Sequence, residues 1–203
     1  MQNLRLNPSM GSVKSFCTTA CRVAAIIFAI LGSGTSLSTQ TGAAQWATGY
    51  ELKAAFVHNI MPFVDWPSGS FGDRVIIGFA GEGPMASVMA KSFSGKRIGS
   101  RLVEVRDVHS QSELRACNVL LLAFPDRSRM RETLVQLHGT NVLTIGEGEQ
   151  FTKFGGIIAF VPRDNTFQLA INLQAAERAH LKISSKLMKI AKLISDDETG
   201  ARY

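Results

Sequence analysis

The sequence predicts a single-domain α/β fold: a three-layer sandwich with a mostly parallel sheet, an antiparallel hairpin at its edge and helices on both faces. Three observations predict it. Short, nearly continuous apolar runs such as residues 74–80 and 118–124 have strand length, and a strand that is apolar at consecutive positions is buried on both sides. These runs alternate with stretches of helical periodicity, the order that builds parallel strands with crossover helices. Toward the end of the chain two more runs flank Pro162-Arg163-Asp164-Asn165, turn chemistry that fits a hairpin.

The elements follow in order. Leu52, Phe56, Ile60 and Phe63 are spaced by four, four and three residues, one face of a helix over residues 50–64. Pro62 weakens its last turn and Pro67 ends it. Residues 74–80 form the first buried strand. Gly81-Glu82-Gly83-Pro84 turns the chain, and Pro84 suits the first position of a helix reaching residue 93. A strand is expected near residues 102–106. Ser110, with Glu113 three residues later, is a capping-box pattern opening a short helix to Ala116. Residues 118–124 are the clearest strand, and a helix over 127–138 stops at Gly139. A strand over 142–145 and a short helix over 147–154, closed by Gly155, lead into hairpin strands 156–161 and 166–171. Residues 172–180 and 184–194 read as helices, and residues 196–203 as a frayed tail.

The first 44 residues read as an export leader. Lys14 and Arg22 precede a nine-residue apolar core, Val23 to Leu31, too short to span a membrane and right for a signal peptide. Small residues lead to Ala43-Ala44, where cleavage is expected; an uncleaved N-terminal anchor is the alternative, and Met10 is a second possible start. The domain then covers residues 45–195. Cys17 and Cys21 fall in the leader, so their spacing is not a metal or redox motif. Cys117 remains as the single thiol of the mature chain, unable to close an internal disulfide and expected to pack as a buried hydrophobe.

Composition removes several functional classes. The chain is 45% hydrophobic and 19% charged, which excludes wholesale disorder. Its net charge of +6 includes Arg5, Lys14 and Arg22; without them 19 basic residues face 16 acidic ones, a net +3, too small for a nucleic-acid footprint. Catalytic and metal signatures are equally thin. His58, His109, His138 and His180 are scattered, and H-E-x-x-H, paired C-x-x-C and G-x-S-x-G are missing. The turn Gly81-Glu82-Gly83-Pro84 stands where a phosphate loop would, but lacks G-x-G-x-x-G and carries an acid and a proline. No catalytic residue, metal site or cofactor is expected. Lys182, Lys186, Lys189 and Lys192 recur through the last segment, either as a solvated face or as a docking surface for an acidic partner.

Several separated segments resemble the YfiR family. They are Phe63-Val64-Asp65-Trp66-Pro67, similar to that family's F-x-x-W-P close of the first helix; Cys117-Asn118-Val119-Leu120-Leu121; Val142-Leu143-Thr144-Ile145 with Phe151 and Gly155-Gly156-Ile157-Ile158-Ala159-Phe160; and Ile171-Asn172-Leu173 with Ala175-Ala176, followed by residues 181–187. The resemblance covers residues 50–194. It implies a periplasmic regulator without catalytic chemistry, which binds and inhibits the sensor part of an inner-membrane signalling protein, most directly a diguanylate cyclase of cyclic-di-GMP and biofilm control. A periplasmic small-molecule binder feeding a histidine kinase or a transporter is the competing reading. A homodimer is expected, because regulators of dimeric receptors often share their symmetry. Trp66, Asn172, Lys182, Ser184 and Lys186 are the candidate contact residues. On physical grounds Trp66 also suits packing, Asn172 a backbone bond at a turn and Ser184 or Ser185 a helix cap. The resemblance further implies a disulfide partner for the strand cysteine; here the neighbouring segment, Ile76-Ile77-Gly78-Phe79, offers no thiol.

Overall fold

The computed structural model describes residues 41–164 and 166–195, with side chains from Gly49 onward. The leader therefore falls almost wholly outside the described residues, and the expected tail falls outside them entirely. Helix α1 (Thr41–Ile60) runs through a 3₁₀ turn (Met61–Phe63) into β1 (Val64–Asp65). Then come β2 (Arg74–Gly81), α2 (Met85–Phe93), β3 (Arg97–Ile98), β4 (Arg101–Asp107), α3 (Gln111–Arg115), β5 (Val119–Ala123), α4 (Arg127–Gln136), β6 (Leu143–Glu147) and α5 (Glu149–Lys153). The chain closes with β7 (Ile158–Arg163), β8 (Thr166–Asn172), α6 (Leu173–Arg178), β9 (Lys182–Ile183), α7 (Ser185–Met188) and β10 (Ala191–Ile194).

Eight strands form one mixed sheet in the order β10-β8-β7-β6-β5-β2-β4-β3. The β7–β8 and β3–β4 pairs are antiparallel and the others parallel. The α/β fold with its antiparallel hairpin is thus present, with β10 added outside the hairpin. A separate two-stranded sheet joins β1 to β9.

Alternation along the strands divides the interior. Ile77, Phe79, Val119, Leu121, Leu143, Ile145, Ile158 and Ile171 face α1, α2 and the small residues of α6. Ala80, Leu120, Leu122, Ala159 and Ala170 face the other way, toward α3, α4 and α5 through Leu114, Met130, Leu134 and Phe151. Burying one such aliphatic side chain is worth about 1.5–3 kcal/mol, so the strands carry apolar residues on both sides. Two glycines make room for Phe151: a Cβ at Gly146 or Gly156 would overlap its ring. Cys117 is buried beside Gly78, where a Cβ would likewise overlap the sulfur.

Three expectations need correction. The buried stripe of α1 is Ala54, Val57 and Ile60, continued by Met61 of the 3₁₀ turn, with Phe56 partly buried, whereas Leu52 is exposed; the apolar face is present but shifted from the expected one. The helix expected to begin at residue 147 begins at Glu149, because Glu147 still pairs with Phe160 as a strand residue. Most significantly, the helix expected over 184–194 is one turn, α7, followed by strand β10, which pairs in parallel with β8 from Ala191↔Leu169 to Ile194↔Asn172.

Candidate functional site

The topology prepares a crevice. From β2 the chain passes through α2 on one face to β4, then returns through α3 on the other face to β5, on the opposite side of β2. Strand order reverses between β2 and β5, and in an open α/β sheet the carboxyl ends of the strands at such a point leave a crevice where ligands bind. A cavity of about 340 Å³ lies there, within the usual size of small-molecule sites. Phe79, Leu121, Ile145 and Phe160 from the strand ends form its floor, and Tyr50, Met85 and Met130 from α1, α2 and α4 form its walls.

The lining is mainly apolar, and its rim carries both signs of charge. Glu82 and Glu147 stand at the edge. Lys53 of α1 binds Glu147 at 2.6 Å and lies 5.3 Å from the Tyr50 ring centroid. Arg129 lies 4.5 Å over Phe124, a second rim residue. Two residues past Glu147, Glu149 accepts a hydrogen bond from Lys192 of β10 at 2.7 Å. That bond, reinforced by the charges of Lys192 and Lys153, holds the Glu149 carboxyl below the usual carboxylate range. Nothing in this lining combines a nucleophile with a base, and among the described residues no group of three His, Cys, Asp or Glu side chains is placed to hold a metal ion. The arrangement can enclose an apolar molecule and meet its charges at the rim.

Four of the five candidate contact residues gather elsewhere. β1 and β9 pair antiparallel, with Val64 opposite Ile183 and Asp65 opposite Lys182, and Ser184 N–H donates to the Phe63 carbonyl at 2.8 Å. The segment ending in Trp66-Pro67 is thereby joined to Lys182, Ser184 and Lys186, more than a hundred residues later in the chain. Lys182 and Lys186 are exposed. Ser184 caps α7 by accepting from Lys186 N–H. The Trp66 ring is partly buried, 5.1 Å from Phe71 in an edge-on contact, and its Nε1–H is buried without an acceptor among the described residues.

Asn172 is not with them. It is fully buried, its Oδ1 caps α6 by accepting from Ala175 N–H at 2.9 Å, and its Nδ2 donates to the Thr152 carbonyl at 2.8 Å. It holds α6 to α5 and presents nothing to an outside molecule. Cys117 is a free buried thiol; desolvation pushes it from its ordinary 9.0 to about 11, so it is an inert packing group at neutral pH.

A family model described as YfiR/HmsC-like matches residues 50–192. The chain belongs to the YfiR/HmsC-like family. The matched span runs from Tyr50 at the cavity wall to Lys192 on β10, so it includes both the crevice and the β1–β9 patch. No curated protein matches this YfiR/HmsC-like chain. Among solved structures it is similar to a conserved domain protein from Vibrio cholerae O1 biovar El Tor str. N16961, with a TM-score of 0.50 and 12% identity over 72% of this chain and 60% of that one. A second likeness is to the ABC domain in complex with L-Trp from Streptococcus pneumonia, with a TM-score of 0.47, 12% identity and the same coverage, 72% and 60%. The chain spans 60% of the length of each. At such identity the first likeness speaks to the fold alone, and the second carries no argument.

The cavity escaped sequence reasoning, and so did the joining of the β1 and β9 segments, for one reason: each is assembled from residues far apart in the chain. The only local signal for the cavity was the glycine-rich turn after β2, which the structure turns into its lip.

Proposed function

We propose that this protein is a periplasmic regulator which, after loss of a leader near Ala44, works as a domain over residues 45–195. It binds the sensor part of an inner-membrane signalling protein, a diguanylate cyclase, and holds it inactive. The observation that carries this reading is the family match over residues 50–192. The exposed residues Lys182, in β9, and Lys186, in the turn after it, follow the strand that pairs with the segment leading to Trp66, and they are the contact surface in this reading. Inhibition is then a population shift: the regulator binds the inactive sensor more tightly than the active one, and its grip is limited to that difference. Deleting the gene should raise cellular cyclic-di-GMP, and the tagged protein should bring a membrane sensor out of detergent-solubilised membranes. An unchanged nucleotide level with no sensor recovered refutes the reading. Among the described residues no helix is long and apolar enough to cross a membrane.

The cavity at the β2–β5 reversal favours a second reading, in which the domain senses a small apolar molecule and reports it to a histidine kinase or a transporter. Thermal-shift screening of compounds against the purified protein separates the two. A hit whose effect is lost when Ala123, on the cavity wall, is replaced by Phe supports ligand sensing. A hit unaffected by that change places binding elsewhere.

A further inference from the structure

The glycine-rich turn after β2 is built against a phosphate. Pro84 opens α2 without an N–H to offer, and Glu82 brings a carboxylate to the place an anion would take. The turn is nonetheless held firmly at the crevice. Gly81 pairs with Ala123 at the ends of β2 and β5, with φ at 141°, where a side chain is rarely tolerated. A Cβ there would also overlap the Ala123 carbonyl. Glu82 N–H donates to that same carbonyl at 3.0 Å. The backbone that carries Glu82 is thereby fixed to the end of β5, at the mouth of the cavity.

The lining has a definite charge. Its charged residues are two carboxylates, Glu82 and Glu147. Glu147 is offset by Lys53, and the guanidinium of Arg129 rests on the Phe124 ring. Glu82 is exposed, and no ion pair engages it among the described residues. One negative charge therefore remains uncompensated at the mouth. Four aromatic rings share the space, Tyr50 and Phe124 at the rim and Phe79 and Phe160 on the floor. Aromatic faces attract organic cations as well as apolar groups. Both rim rings already do so within the chain, Tyr50 toward Lys53 at 5.3 Å and Phe124 toward Arg129 at 4.5 Å. Met85 and Met130 complete the walls with side chains that adapt to irregular shapes.

Within the ligand-sensing reading, on which this rests, we propose that the crevice selects a small organic cation: one ammonium, primary or quaternary, on an aromatic or branched apolar body. The body packs on Phe79, Leu121, Ile145 and Phe160, and the ammonium stays at the mouth beside Glu82. A neutral guest gains the packing without the charge contact, and an anion of the same shape meets a carboxylate. Because Glu82 is exposed, the charge contact weakens with salt.

Four probes that share a phenyl body test this by amide NMR titration of the purified protein: phenethylammonium, benzyltrimethylammonium, phenethyl alcohol and hydrocinnamate. The two ammonium probes should bind on the order of 10-fold more tightly than the alcohol at low salt, hydrocinnamate should bind least, and the shifted amides should lie at residues 81–83, 122–124 and 146–147. High salt should narrow the gap between ammonium and alcohol. Glu82→Gln should cut that preference several-fold, Lys53→Met, which releases Glu147, should widen it, and Ala123→Phe should remove every probe. If the alcohol binds in the crevice as tightly as the ammonium probes, or hydrocinnamate binds best, ligand sensing stands and the cation preference is overturned. If no probe moves the crevice amides, both fall.

Discussion

Replacing Asn172 by alanine distinguishes a structural residue from a recognition residue. The side chain is fully buried and serves two backbone groups, Ala175 N–H at the start of α6 and the Thr152 carbonyl at the end of α5. Loss of an N-cap costs about 1 kcal/mol. The Thr152 carbonyl still accepts from the Gly155 N–H, so the second loss is one ordinary hydrogen bond, about 0.5–1.5 kcal/mol more. The total is of order 2 kcal/mol, and at about 2–4 °C per kcal/mol for a domain of this size the melting temperature should fall by roughly 4–8 °C. Urea denaturation should show the loss as a lower midpoint with an unchanged slope. Asn172→Asp supplies a control within the same site. It keeps an acceptor for Ala175 but turns a carboxylate toward the Thr152 carbonyl, so it should be at least as damaging at pH 7 and recover partly in acid, when the carboxyl can donate. An alanine variant within about 0.5 kcal/mol of the original, the range of ordinary surface changes, would refute the reasoning and return Asn172 to the candidate contact residues.

Four further outcomes are expected. Gly156→Ala should destabilise strongly, since the new methyl meets the Phe151 ring, and Phe151→Leu in the same chain should recover part of the loss; urea midpoints of the two singles and the double decide it. His180 sits at φ 56 just beyond α6, where Leu181 N–H reaches the Ala176 carbonyl and His180 N–H the Glu177 carbonyl, the double closure that favours glycine; His180→Gly should raise stability by about 0.5–1 kcal/mol. With its thiol raised to about 11, Cys117 should react with iodoacetamide at pH 8 on the order of 100-fold more slowly than a free thiol; because burial raises this pKa, the stability it contributes is present below pH 9 and lost as pH climbs toward 11. Glu149 behaves in the opposite sense: Lys192 lowers its pKa, so the contribution of that pair is present at neutral pH and lost in acid, and the melting difference between the original protein and Lys192→Met should shrink as the pH falls through the lowered pKa of that carboxyl.

Much of the sheet was legible because burial on both faces leaves a local trace. Residues 74–80 and 118–124 are apolar at successive positions since each successive side chain enters a different half of the core. The capping box of Ser110 and Glu113 was legible for the same local reason, and both of its hydrogen bonds are present. The end of the chain misled. Leu187, Ile190 and Leu193 fall at helical spacing beside lysines three apart, and the first turn from Ser184 does form. Beyond it, hydrogen bonding to the edge of β8 outweighs helical propensity, which is worth only tenths of a kcal/mol per residue. Strands β1, β3 and β9, two residues each, are too short to show a period. Trp66, Lys182, Ser184 and Lys186 stand out in the sequence one by one, but only the register of β1 on β9 shows that their segments are neighbours.

Three consecutive residues, Glu147, Gly148 and Glu149, link β6 to α5. One carboxylate is fastened to Lys53 near the start of the domain and the other to Lys192 near its finish. The opening helix and the closing strand thus each send one lysine to the same short bend, whose first residue, Glu147, lines the crevice. A molecule in the crevice that displaced Glu147 would therefore disturb the Lys53 pair directly and the Lys192 pair two residues further along.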